Sequence, residues 1–188
     1  GKWIIQNAFS MCTECRKYYP EFRVSINLSY VQILKSPLMM ELKQIIEHSG
    51  ISCSGIIVEL TESGYLEGTP AVRSVWNDMK QLRIQIALDD FGTGYSNLMN
   101  ISNLEPDIVK LDRGFTLKAL SRSYEYQLMQ YVIEMVHKLN QYVCVEGVET
   151  KEDLEKIKAL GPDLIQGYYY SKPCSRDEFL KKFFGYSE

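Results

Sequence analysis

Short aliphatic runs alternate with longer stretches of helical periodicity along the whole chain, and few architectures accept that alternation. The spacing predicts strands over Val24–Ser29, Ile56–Glu62, Ile84–Asp90, Ile108–Asp112, Tyr142–Gly147 and Leu164–Tyr168. Helices are expected over Lys2–Tyr18, Pro37–His48, Pro70–Gln81, Ser123–Asn140 and Lys151–Leu160. The long fourth helix carries Leu128, Val132, Met135 and Leu139 as an apolar stripe. The fifth has Thr150 as N-cap with Asp153 three residues on, and Gly161 just past its end. Strands and helices in turn argue an α/β architecture with a parallel sheet.

The strands share a finer pattern. Ile26, Val58, Ile86, Val109 and Val145 belong to an aliphatic parity. The other parity ends in a polar residue near the strand's C-terminal end: Asn27, Glu59, Asp89, Lys110, Glu146 and Gln166. Successive strand side chains point to opposite faces, so the aliphatic set is expected against helices and the polar set inward. Polar side chains at the C-terminal ends of many parallel strands suit the mouth of a TIM-type (β/α) barrel. A doubly wound open sheet gives no reason for them.

Bulk properties narrow the function. A chain of 188 residues, 45% hydrophobic and 24% charged, fits one globular domain over 1–188. The net charge of -3 gives no case for binding long nucleic acid. Apolar runs are too short to cross a bilayer, and reduced cysteines suit a cytoplasmic domain, although other domains of a parent protein could anchor it to a membrane. Cys12 and Cys15 lack a second pair to complete a zinc site and read as helix neighbours. His48 and His137 each sit in a helical pattern and read as surface or core residues.

The polar strand ends could do chemistry. Asp89 and Asp90 are adjacent carboxylates that repel each other unless a cation serves them. Oxygen-only ligand sets of carboxylate and amide suit Mg²⁺ or Mn²⁺ rather than zinc. Two such ions form a clamp for phosphoryl displacement, with Asp89 bridging and Asp90 on the second ion. Lys110 would position water or neutralise a phosphate. Singly, Glu59 reads as an edge residue, Asn27 as a turn residue, DDFGTGYS as a surface turn and Tyr168–Tyr170 as rim aromatics. It is the repetition at successive strand ends that points to a site.

The segments NLS at 27–29, ELTES at 59–63, DDFGTGYSNL at 89–98, KLDRGF at 110–115, VEGVET at 145–150 and QGYYYSKP at 166–173 occur in this order. In them the chain resembles the EAL domain family, bacterial cyclic di-GMP phosphodiesterases. The resemblance implies a modified TIM barrel that hydrolyses cyclic di-GMP to linear pGpG with two ions, Mg²⁺ or Mn²⁺. It makes Asn27, Glu59, Asp89 and Asp90 metal ligands, and Lys110, Glu146 and Gln166 the catalytic groups that hold metal-bound water. Glu62 is implied to steady the glycine-rich loop after Asp90, and Glu149 is a candidate substrate contact. A homodimer, and a sensor or GGDEF domain upstream in the parent protein, are further implications.

Two departures matter. The chain contains no Glu-Ala-Leu tripeptide, whose glutamate the resemblance makes a metal ligand. Six predicted strands fall two short of a barrel, so the piece is expected to correspond to the C-terminal three quarters of the domain and to leave sheet edges that it must expose, cover or pair with a partner's strands. Weak or absent turnover by the 188 residues is expected, which keeps a non-catalytic cyclic di-GMP sensor as the alternative. A different metal-dependent barrel enzyme and a purely structural domain are the remaining readings, separable by a substrate panel and a metal titration.

Overall fold

The computed structural model describes residues 2–29, 32, 38–49, 52–61, 70–93, 101 and 104–185. Among these residues lie six strands: β1 (Val24–Asn27), β2 (Ile56–Thr61), β3 (Gln85–Phe91), β4 (Ile108–Leu111), β5 (Tyr142–Glu146) and β6 (Leu164–Gln166). The helices are α1 (Lys2–Cys15), α2 (Leu38–Ser49), α3 (Pro70–Gln81), α4 (Arg113–Ser121), α5 (Ser123–Lys138), α6 (Lys151–Lys158) and α7 (Arg176–Phe184). The strand order is sequential, β1-β2-β3-β4-β5-β6, and the registered pairs β1–β2, β3–β4, β4–β5 and β5–β6 are parallel. Parallel strands in sequence order, with helical crossovers, are the connectivity of a TIM-type α/β barrel, here with six of its eight strands. All six predicted strands are present; β1 and β6 end two residues short of the predicted span and β4 and β5 one residue short, β3 is shifted by one residue at both ends, and the predicted end of β2 at Glu62 lies outside the described residues.

The chain divides into two compact bodies, the first Gly1–Leu60, Glu67–Ile86 and Pro173–Glu188, the second Thr61–Leu66 and Ala87–Lys172. In the first, α1 buries Ile5, Phe9, Cys12 and Cys15, a stripe at helical spacing. Cys12 and Cys15 are free thiols packed in this core, and burial raises both pKa values. Helix α1 stops three residues before the predicted Tyr18, because Pro20 pushes the chain ahead of it out of the helical region. Tyr18 instead stacks against Phe184, with ring centroids 5.4 Å apart. Helix α7, which the periodicity did not predict, is fixed by a capping box between Ser175 and Glu178 and stops at Gly185, φ 67°.

In the second body, β4 ends at Leu111 rather than Asp112. The Asp112 carboxylate accepts from the Gly114 and Phe115 amides, 2.7 and 3.3 Å, and so starts α4 instead of ending a strand. Helix α5 packs through Met129, Ile133 and Val136. The predicted stripe is therefore displaced by one position: Leu128 and Leu139 are exposed. Apolar residues occupy so much of this helix's circumference that periodicity alone leaves two faces eligible. The capping box of Thr150 and Asp153 opens α6 as expected.

Both parities of β2 and β4 are buried, so the inner face is packed as well as the outer one. Glu59 and Lys110, 7% and 4% exposed, are charged residues within that packing. Among the described residues no helix is long and apolar enough to cross a membrane.

Candidate functional site

Glu59, Asp89, Lys110 and Glu146 all lie in the last part of their strands, where the register fixes their neighbours. In the first body, Asn27 and Glu59 are register partners of β1 and β2. The Ser25 hydroxyl donates to Glu59 Oε1. Ser25 lies two residues before Asn27 and therefore on the same face of β1. The Leu28 amide donates to the Glu59 carbonyl at 3.0 Å. Glu59 is thus held by side chain and backbone, whereas Asn27 is exposed.

In the second body a β-bulge presents the aspartate pair. Leu88 pairs with Val109 and Phe91 with Leu111, so Asp89 and Asp90 of β3 stand against the single residue Lys110 of β4. Asp90 takes the left-handed conformation, φ 61°, which aspartate tolerates better than most residues. The sequence placed the strand's end at Asp90; instead the strand runs on to Phe91, and the bulge supplies the break. Gly92 follows at φ 104°, and a Cβ there would lie 2.9 Å from the Phe115 ring.

Lys110 joins the acids. Its Nζ lies 3.0 Å from Asp89 Oδ1 and 2.6 Å from Glu146 Oε1. A buried ammonium between two carboxylates offsets the repulsion between Asp89 and Glu146. Asp89 Oδ1 is nonetheless buried without a hydrogen bond: the ammonium sits at ion-pair distance, but not in a direction that makes one. Glu146 pairs in register with Gln166, which is exposed on β6.

Glu149, three residues beyond Glu146, is gripped by Arg113, whose Nε and a terminal nitrogen lie 3.2 and 2.7 Å from Oε1. Glu62 and residues 94–98 of the glycine-rich segment lie outside the described residues. Sequence reasoning missed Ser25 and Arg113. The shared parity with Asn27 could have flagged Ser25, while nothing local marks Arg113 as the partner of a residue 36 positions away.

Among the described residues no three carboxylate, thiol or imidazole groups already stand as a metal-holding cluster. The donors are nonetheless oxygen atoms, and the buried Asp89 Oδ1, which makes no hydrogen bond, fits a hard divalent cation.

The model of the family described as "EAL domain" matches residues 1–173. The cyclic di-GMP phosphodiesterase PdeF of Escherichia coli K12 is 31% identical over 171 residues, 91% of this chain and 23% of its own. The EAL enzyme Bd1971, in its cAMP- and cyclic-di-GMP-bound form, superposes with a TM-score of 0.91 at 29% identity, over 97% of this chain and 50% of that one. A manganese/cyclic-di-GMP complex of Klebsiella pneumoniae BlrP1 gives 0.77 at 25% identity, over 91% and 43%. The chain spans about a quarter of the length of the curated relatives it matches.

Proposed function

The chain belongs to the EAL domain family, and on that premise we propose that the parent domain binds cyclic di-GMP and hydrolyses one of its phosphodiesters to linear pGpG. The observation that carries the reading is Lys110 held between Asp89 and Glu146 at the ends of three successive parallel strands. Asn27, Glu59, Asp89 and Asp90 are the proposed ligands of two divalent cations, Mg²⁺ or Mn²⁺. Bound there, the ions supply charge against the phosphoryl oxygens and acidify water.

The chain's own residues do the rest. Lys110, buried and tied to Glu146, aims that carboxylate, and its ammonium can hydrogen-bond the attacking water. Glu146 accepts the water's proton as a general base. Gln166, its register partner, offers an amide to orient the same water. Ser25 fixes the carboxylate of Glu59, and Glu62 is proposed to steady the loop after Asp90. Glu149 is the proposed substrate contact on the rim. A homodimer, and a sensor or GGDEF module in the same polypeptide, complete the proposal.

A second reading is binding of cyclic di-GMP without turnover. Loss of a metal ligand weakens metal binding and costs orders of magnitude in rate. The deciding experiment assays cleavage with Mn²⁺ or Mg²⁺, and nucleotide affinity by calorimetry. It compares this chain with the same chain fused behind a Glu-Ala-Leu-bearing β/α segment. Cleavage to pGpG by the fusion alone is the expected result, abolished by chelator. Neither binding nor cleavage in either protein overturns the proposal.

A further inference from the structure

Two ion pairs join the end of β4 to the end of β5, and they are offset by three residues on both sides: Lys110 with Glu146, and Arg113 with Glu149. The inner pair is buried; the outer pair is exposed, and exposed pairs alone contribute little. The outer pair has two supports that ordinary surface pairs lack. Both Nε and a terminal nitrogen of Arg113 reach one oxygen of Glu149. The Arg113 stem also lies across Gly147, φ 80°, where a Cβ would meet Arg113 Cβ at 2.9 Å and Cα at 3.1 Å.

The segment under that clamp is fastened from the other side as well. Val148 is fully buried. Its amide donates to the Gln166 carbonyl at 3.3 Å, and its carbonyl accepts from the Tyr169 amide at 3.1 Å. Gly167 lies so close that any Cβ would overlap the Val148 carbonyl oxygen. Residues 147–149, between Glu146 and the Thr150 cap of α6, are thus gripped by Arg113 on one side and by the end of β6 on the other.

We infer that Arg113 is a positioning residue: by holding Gly147 and Glu149 it fixes the loop that presents Glu146 to Lys110 and binds Gln166. The inference rests on the proposed site for its chemical consequence, but its structural half stands without it.

The test compares Arg113→Ala and Arg113→Lys with wild type, using Arg122→Ala, which removes an exposed ion pair to Glu125 in the same body, as control. Hydrogen exchange at the Val148 and Tyr169 amides reads the clamp directly and needs no activity. Arg113→Ala is expected to speed both up to about 5-fold, the upper end of what an exposed ion pair contributes. Arg113→Lys is expected to recover most of the protection, and Arg122→Ala to change neither amide. In the Glu-Ala-Leu fusion, Arg113→Ala should lower kcat about 10-fold through Glu146 and raise KM through the released Glu149. Exchange in Arg113→Ala equal to that in Arg122→Ala overturns the inference. A wild-type fusion that neither binds nor cleaves cyclic di-GMP overturns the proposed function alone.

Discussion

Lys110 Nζ stands 3.0 Å from the Asp89 carboxylate across the β3–β4 bulge, and the same nitrogen is 2.6 Å from Glu146 on the next strand. One buried cation therefore holds three strand ends together. Removing it leaves two partly buried carboxylates facing each other, and breaking a buried pair costs about 3–5 kcal/mol. Lys110→Ala should lower the denaturant midpoint accordingly, and Mn²⁺ should restore part of the loss if the freed oxygens bind the ion. A variant as stable as wild type without metal would show that the ammonium does not hold these acids.

Asp90 offers a separation of stability from function. Its φ of 61° carries a backbone cost of about 1–2 kcal/mol for an L-residue, which glycine does not bear. Asp90→Gly relieves that strain, and it should abolish metal-dependent turnover in the Glu-Ala-Leu fusion. Asp90→Ala retains the strain and loses the carboxylate, so it should be the less stable of the two. The reverse order would mean that the bulge does not dictate the conformation.

The strand-end placement of the polar residues was legible in the sequence because a strand's parity is local. Asn27, Glu59, Asp89, Lys110, Glu146 and Gln166 could each be placed near a strand end from their aliphatic neighbours alone. The bulge was not legible, since it exists only in the register of β3 against β4. Nor was α4: its start depends on Asp112 turning back to accept amides two and three residues ahead, while the preceding aliphatic run invited a longer strand. The buried face of α5 was misplaced because Leu128 and Met129 are equally apolar, and only packing chooses Met129. Helix α7 had a readable signal, the Ser175–Glu178 box before Gly185, hidden by weak periodicity.

Glycines 161 and 167 make a matched pair. Gly161 has φ 74° and open space where an added methyl group would sit, so Gly161→Ala bears only the left-handed strain, about 1–2 kcal/mol. At Gly167 the same methyl group meets the Val148 backbone, which cannot yield without breaking its bonds to Gln166 and Tyr169. Overpacking of this kind adds about 1–3 kcal/mol, and Val148 would have to move with it. Gly167→Ala should therefore also expose the Val148 amide to exchange, whereas Gly161→Ala should not. Equal amide protection in the two variants would contradict the close approach.

Helix α7 carries an acid-sensitive cap. The Ser175 amide and hydroxyl both donate to Glu178 Oε2 at 2.9 Å, and these bonds hold the Glu178 carboxyl below its ordinary value of 4.5. A carboxyl depressed in the folded state contributes stability that is present above its unfolded pKa and lost as pH falls through the folded one. The contribution is therefore intact at neutral pH and disappears only below about 4.5. Glu178 is fully exposed, so the effect is confined to its own helix. Amide exchange in α7 should rise relative to α6 as pH drops through that window, after correction for the intrinsic rate. Ser175→Ala, which removes one of the two donors, should shift the rise toward higher pH. Glu178→Gln, which cannot titrate, should flatten it, because the cap is then equally weak at every pH; a pH response in that variant as steep as in wild type would assign the effect to another group.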